Sequence, residues 1–227
     1  MSKNLFITGT GTDVGKTYIS ALIIKKLTEA GKKAAYFKAA MSGNVRTADN
    51  RLIPGDARFV KTISGIGQPE EDMCPYVYES AYSPHLAARI EGNPVDMKVI
   101  KDRFSAVCGT HEVVTVEGSG GIFCPIRFDE TRIQLEDVIK ELHLPCLIVA
   151  DAGLGTINHT VLTVAYMKSR NIAVKGIILN RFHPGDILEE DNLKMCEYMT
   201  GVKVLACIKD GDTELPMDAH TLLSLYA

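Results

Sequence analysis

The sequence predicts a three-layer α/β fold: a mostly parallel central sheet with helices on both faces. Three observations carry that expectation. Runs such as Val113-Val114-Thr115-Val116 and Leu147-Ile148-Val149 are apolar almost throughout, which suits strands buried on both faces rather than one. They alternate with longer stretches of helical apolar spacing, the pattern of strand–helix–strand units. The first run passes through a glycine-rich loop directly into a helical stretch.

Taken in order, residues 4–8 read as the first strand, ended by Gly9. Ile19, Leu22, Ile23 and Leu27 have helical spacing and mark a helix over 16–30, which Gly31 stops. Residues 33–37 form the second strand. Residues 39–54 contain Ser42-Gly43-Asn44 and few core positions, so they read as a loop, followed by a short helix over 57–63. Residues 73–82, with Pro75 near their start, read as irregular. Ser83 as cap and Pro84 at the first helical position begin a helix, and 96–108 form the next. Residues 112–117 are a buried strand that runs into Gly118-Ser119-Gly120-Gly121. A helix over 134–143 and a strand over 146–150 follow. Residues 158–170 are helical, 174–179 a strand, 186–199 a helix, 202–208 the last strand, and a short helix is expected beyond Met217. In the helix over 186–199, Ile187, Leu188 and Leu193 suit core packing.

Hydrophobic residues make up 46% of the 227 and charged residues 23%. That excludes a disordered chain or a disulfide-stapled mini-protein and suits one domain over 1–227. The net charge of −3 lacks the basic excess of a generic nucleic-acid binder. Six cysteines are scattered without a C-x-x-C pair, so neither a zinc site nor a thioredoxin-like motif is indicated. They read as buried thiols in a reducing compartment. The run Leu5-Phe6-Ile7 is too short for a signal-peptide core or a membrane span. The chain is therefore expected to be cytoplasmic, with neither membrane nor nucleic acid as partner.

In parallel sheets of this kind ligands sit beyond the carboxyl ends of the strands. The loops after Thr8, Phe37, Val116, Ala150 and Leu179 should then form one rim, and the polar motifs lie on those loops. The first reads Gly9-Thr10-Gly11-Thr12-Asp13-Val14-Gly15-Lys16-Thr17. Its glycines let successive N–H groups point inward, and the following helix adds its positive dipole end. Lys16 would reach the β- and γ-phosphates, and the Thr17 hydroxyl would hold Mg²⁺. Counted from Gly9, five residues precede Gly-Lys-Thr instead of the usual four. This is a variant phosphate loop, and it makes the fold P-loop NTPase-like. The plain alternative, a glycine turn leading into a helix, leaves Gly-Lys-Thr in this context unexplained.

Glu117 and Asp151 each end a buried apolar strand on this rim. An acid there needs a cation, and Mg²⁺ is the natural one. Sequence alone leaves both open, along with the reading that either is simply a solvated strand end. Lys38 also ends a strand; it could steady transferring phosphoryl oxygens or be an ordinary surface lysine. His85 and His159 sit beside helix starts, where packing or capping is the simpler role.

As an ordered set, several segments resemble the dethiobiotin synthetase family over nearly the whole chain. They are the loop Gly9-Thr10-Gly11-Thr12-Asp13-Val14-Gly15-Lys16-Thr17, Lys38 with Ser42-Gly43, Asp56, Ser83-Pro84-His85, Glu117-Gly118-Ser119-Gly120-Gly121, and Gly153-Leu154-Gly155-Thr156-Ile157-Asn158-His159. The five-residue spacing is that family's own. The resemblance implies an ATP-dependent cyclo-ligase acting on 7,8-diaminononanoate. One amine takes up CO₂ as a carbamate, ATP phosphorylates the carbamate to a mixed anhydride, and the second amine closes a cyclic urea as phosphate leaves.

By the same resemblance Thr12, Lys16 and Lys38 hold carbamate and phosphates, Lys38 being the residue usually called catalytic. Asp13, Val14, Gly15, Lys16, Thr17 and Tyr18 wrap the nucleotide. Thr17, Asp56 and Glu117 share Mg²⁺, which leaves Asp151 without a role. Ser42 contacts substrate, and Gly118, Ser119 and Gly120 lie near nucleotide and substrate. Asn180 reads the adenine edge with Arg181 beside it. Gly155, Thr156, Ile157 and Asn158 open a helix that takes the substrate carboxylate in the neighbouring subunit of a homodimer, and Tyr198 adds to that contact. Three positions depart from the family pattern. Gly11 stands where many members carry an acid, Ala39 follows the lysine where proline is common, and Lys209-Asp210-Gly211 replaces a proline-containing turn near the base.

The rival readings are a dimeric ATPase switch of the partition or cell-division type and a cobyrinate-type ligase domain. The first carries a second lysine where Gly11 stands; the second is usually fused to a glutaminase. Neither accounts for Lys38 with Ser42-Gly43.

Overall fold

The computed structural model describes residues 2–227. Its elements in chain order are β1 (Lys3–Gly9), α1 (Lys16–Glu29), β2 (Ala34–Lys38), β3 (Ala40–Met41), β4 (Val45–Arg46), β5 (Leu52–Ile53), α2 (Gly55–Ser64), α3 (Glu70–Met73), β6 (Tyr76–Val77), α4 (Pro84–Ile90) and α5 (Met97–Thr110). There follow β7 (Val113–Gly121), β8 (Pro125–Phe128), β9 (Arg132–Gln134), α6 (Leu135–Glu141), β10 (Cys146–Asp151), α7 (Thr156–Ser169), β11 (Val174–Asn180), α8 (Ile187–Thr200), β12 (Val204–Ile208) and α9 (Ala219–Ser224).

Six strands form the main sheet in the order β12-β11-β10-β1-β7-β2, and all neighbouring pairs are parallel. Successive side chains of a strand point to opposite faces, so an apolar run feeds two cores at once. Leu5, Ile7, Leu147 and Val149 join α1 on one face. Phe6, Val114, Val116 and Ile148 pack with Phe104, Val138 and Val164 on the other. Among the described residues no helix is long and apolar enough to cross a membrane.

Of Ile187, Leu188 and Leu193 in α8, only Leu193 packs against the core, while Ile187 and Leu188 are exposed rather than buried as the sequence suggests. The main-sheet strands and long helices themselves fall where the sequence places them, with four differences. Residues 39–54 are not a plain loop. They carry β3, which pairs with β6 in the region read as irregular, and the hairpin β4–β5. A second hairpin, β8–β9, follows the glycine run, and that run itself continues β7. The helix read from 158 begins two residues earlier. Gly155 takes a left-handed backbone there (φ 92°), and buried Thr156 opens α7. Ser83 holds the cap position and Pro84 begins α4, but the Ser83 hydroxyl makes no capping bond; it lies 3.1 Å from His85 Nδ1 instead.

One edge of the sheet is finished by a side chain. Gln68, buried beside β2, accepts from Tyr36 N at 2.8 Å and donates to Tyr36 O at 3.0 Å. The carboxamide thus stands in for a seventh strand and blocks edge pairing at that point.

Candidate active site

All six strands of the main sheet run the same way, so their carboxyl ends meet on one rim. The loop after β1 wraps over the start of α1. Gly15 caps the helix with φ 94°, and any side chain there would run into the Asn180 carboxamide. Glycine at this point is a requirement of both conformation and space. Lys16 folds back and donates to Gly11 O at 2.8 Å. Burial pulls its pKa below the ordinary lysine value, and Glu117 opposes that shift.

The outward carbonyls of this loop are held from β11. Asn180 Nδ2 donates to Val14 O at 3.1 Å, and Arg181 donates to Asp13 O at 2.8 Å. Asp13 is itself left-handed (φ 58°).

Beside the loop lies a buried charge cluster. β2 and β7 pair with Lys38 in register with Glu117. The Lys38 ammonium reaches Glu117 Oε1 at 2.7 Å and Asp56 Oδ2, from the first turn of α2, at 2.6 Å. Glu117 is only 1% exposed. It also accepts from the Thr17 hydroxyl at 2.9 Å and the Tyr36 hydroxyl at 3.0 Å. Burial alone would lower the Lys38 pKa; Glu117 and then Asp56 outweigh it and hold the lysine above its ordinary value. Lys38 is therefore a permanent cation at any physiological pH. Burial, with Glu117 adding to it, keeps the Tyr36 phenol protonated.

A cleft of about 900 Å³ opens over this cluster. Thr12, Asp13, Gly15, Lys16 and Thr17 form its floor along one side. Lys38, Ser42, Asp56 and Glu117 line the other, with Ser119, Gly120 and Arg181 at the margin. Ser42 donates to Tyr82 O at 2.6 Å and Ser119 to Ala40 O at 2.9 Å. The Thr17 hydroxyl and the Glu117 and Asp56 carboxylates, joined directly and through Lys38, are hard oxygen donors, suited to a divalent cation that keeps nucleotide oxygens and water as its other ligands. Among the described residues no group of three or more His, Cys, Asp or Glu could form a metal cage.

Other sequence-predicted residues lie elsewhere. Val14 and Asn180 lie outside the cleft lining, joined by the hydrogen bond already described. Gly118 faces the core, where a Cβ would press on Phe6 and Leu135. The Tyr18 hydroxyl donates to the Asp212 carbonyl, in the turn that holds Lys209, Asp210 and Gly211. Gly155, Thr156, Ile157, Asn158 and Tyr198 do not line this cleft. Thr156 instead lines a second cavity of about 460 Å³ on the far side of the phosphate loop, and Tyr198 stands exposed on α8. Asp151 pairs with Arg181 at 2.7 Å, away from the charge cluster. Sequence reasoning missed Tyr36, Tyr82 and Cys124 at or beneath the cleft. Tyr36 and Tyr82 carried a weak signal as polar-tipped aromatics near rim loops; Cys124 carried none.

An inward-facing glycine loop at the start of a helix, with a lysine and a threonine at its end, on a parallel three-layer sheet, defines a P-loop nucleotide-binding protein. A family model described as an AAA domain matches residues 3–213. The ATP-dependent dethiobiotin synthetase BioD of Brachyspira hyodysenteriae is 51% identical over 227 residues, covering 100% of both chains. That of Clostridium perfringens is 46% identical over 208 residues, covering 92% of this chain and 91% of the relative. The chain belongs to the ATP-dependent dethiobiotin synthetase family. Solved structures of the Aquifex aeolicus MinC:MinD cell division complex and a Chlorobium tepidum ParA family ATPase align with TM-scores of 0.57 and 0.55. Each covers 99% of this chain, and this chain covers 86% and 89% of them, at 14% and 15% identity. The likeness to partition and cell-division ATPases is one of fold alone.

Proposed function

We propose that this chain is a cyclo-ligase that makes dethiobiotin from 7,8-diaminononanoate, CO₂ and ATP in the cytoplasm, with residues 1–227 acting as one domain. The observation that carries the reading is Lys38. It is a buried, permanently charged lysine set beside a phosphate loop and facing a cleft large enough for nucleotide and a small second substrate. A lysine held above its ordinary pKa cannot serve as a base. Its use is electrostatic, at the oxygens of a phosphoryl group in transfer. That is what phosphorylation of a carbamate needs, because a carbamate is a poor electrophile until it carries a leaving group.

The residues divide the work accordingly. Lys16 and the inward N–H groups take the nucleotide phosphates, while Asn180 and Arg181 hold the loop from behind. Thr12, Lys38 and Ser42 face the carbamate end of the substrate, with Ser119 and Gly120 beside it. Thr17, Asp56 and Glu117 would hold Mg²⁺, which when bound neutralises phosphate charge. The base lies toward Asn180 and the turn of Lys209, Asp210 and Gly211.

The far carboxylate of the diamine acid needs an anion site away from the phosphates. The start of α7, residues Gly155, Thr156, Ile157 and Asn158, offers N–H groups and a favourable dipole. None of these residues lines the chain's own cleft, and Thr156 lines the cavity on the other side of the phosphate loop. This supports a homodimer in which each α7 serves the neighbour's site, with Tyr198 contributing.

The test is product analysis with purified protein, ATP, bicarbonate and the diamine acid. Dethiobiotin, ADP and phosphate should form in equal amounts. ATP hydrolysis that proceeds without the diamine acid and yields no ureido product would favour an ATPase switch.

A further inference from the structure

We propose that Asp151 and Arg181 are positioning residues for the nucleotide, working as one unit that locks the phosphate loop in its binding conformation. A phosphate cradle requires the loop's N–H groups to face inward, so its carbonyls must face outward. An outward carbonyl on a rim loop is free to flip unless something holds it. A flipped Asp13–Val14 peptide would aim an oxygen at the phosphates.

Arg181 supplies the hold. Its guanidinium is a rigid planar fork. One arm donates to Asp13 O at 2.8 Å and the other to Asp151 Oδ2 at 2.7 Å. Asp151 is fixed in turn, because its Oδ1 accepts from Gly153 N at 2.8 Å. Both ends of the Asp13–Arg181 contact are left-handed, with φ 58° and 56°. Non-glycine residues rarely take that conformation without a specific partner. The ion pair is half exposed, at 44% and 41% of its side chains. As a surface pair it adds little stability, so its value lies in geometry.

An acid near a triphosphate site also has a cost. If only charge mattered, removing Asp151 would tighten nucleotide binding. The positioning role has the opposite sign, and that separates the two. Binding of ADP with Mg²⁺ is measured by calorimetry for the wild type, Asp151→Asn, Arg181→Lys and the double variant. Asp151→Asn should weaken ADP about tenfold, the scale of one charge-assisted hydrogen bond. Arg181→Lys keeps the charge but cannot span both partners, so it should weaken ADP as well. The double variant should be no worse than Arg181→Lys alone, since the two residues act as a unit. In turnover the KM for ATP should rise with kcat largely kept, because the loop holds phosphate in ground and transition states alike.

ADP bound as tightly or more tightly by Asp151→Asn overturns the proposal. So does wild-type affinity in Arg181→Lys, or a lower melting temperature without any change in ADP affinity. None of these readouts depends on which acid the enzyme carboxylates, so a failed product assay would leave the result readable.

Discussion

Replacing Lys38 with methionine keeps most of the side-chain volume and removes the ammonium between two carboxylates. That ammonium lies 2.6 Å from Asp56 Oδ2 and 2.7 Å from Glu117 Oε1. The two oxygens are therefore at most about 5 Å apart, and two carboxylates at that distance repel by roughly 3 kcal/mol at an effective dielectric of ~20. Breaking a buried pair from one side costs about 3–5 kcal/mol. The Asp56 side chain is 37% exposed, so solvent screens part of this, and ~3 kcal/mol is the working figure. For a chain of this length each kcal/mol moves Tm by about 2–4 °C. Lys38→Met should then melt about 6–12 °C below the wild type in metal-free buffer near neutral pH.

Two controls sharpen the test. The lysine's folded-state pKa lies above its unfolded value, so its stabilising contribution is fully present below about pH 10.4. It is lost as pH rises through the higher folded value. The gap in Tm between wild type and variant should hold from pH 7 to 9 and shrink above about pH 10.4. The ammonium also occupies the oxygens that a divalent cation would need. Mg²⁺ without nucleotide should raise the Tm of Lys38→Met more than that of the wild type. An unchanged Tm in metal-free buffer, or a Mg²⁺ response no larger than the wild type's, would refute the reasoning that Lys38 holds these carboxylates together.

Three further outcomes are expected. Lys16→Ala should lower ATP-dependent turnover by about 10²–10³-fold, the scale of a lost electrostatic donor, and near-normal turnover would remove the phosphate-loop assignment. Cys124 lines the cleft, and burial pushes its thiol up to about 11. Because the thiolate is the nucleophile, alkylation followed by mass spectrometry should be slow at pH 7.5, rise steeply toward pH 10 and be blocked by Mg²⁺ with ADP; fast labelling at pH 7.5 would contradict the burial. Mixing tests the shared site. Lys38→Ala and Gly155→Val chains should each form nearly inactive homodimers, and a demonstrated heterodimer should recover one good rim and one good helix start. No recovery in that heterodimer would put the carboxylate site within one chain.

What the sequence disclosed follows from what is periodic or local. All-apolar strands announce burial on both faces, and the phosphate loop is contiguous, so both were legible. Two-residue strands such as β3 and β6 have no period to detect; they exist because distant segments pack together. The sequence places the start of α7 two residues late because capping preferences favour polar side chains. In the fold a left-handed Gly155 does the work, with buried Thr156 packed behind it. Contacts across large separations left no local trace. Tyr36 on Glu117 and Gln68 on Tyr36 are examples.

The two strand-end acids show where that boundary lies. In the sequence Glu117 and Asp151 look alike, each following an apolar run toward the same rim, and no local feature separates them. Strand order does. β7 lies between β1 and β2, so Glu117 stands between the helix that follows the phosphate loop and the lysine that ends β2. β10 lies on the other side of β1, next to β11. Asp151 is paired in register with Asn180 and meets Arg181 instead. One acid is thereby buried against the Lys38 ammonium and the Thr17 and Tyr36 hydroxyls. The other is left half exposed behind the loop, where its remaining use is to aim a guanidinium. The same residue chemistry after the same kind of apolar run acquires two functions because one strand lies on one side of β1 and the other on the opposite side.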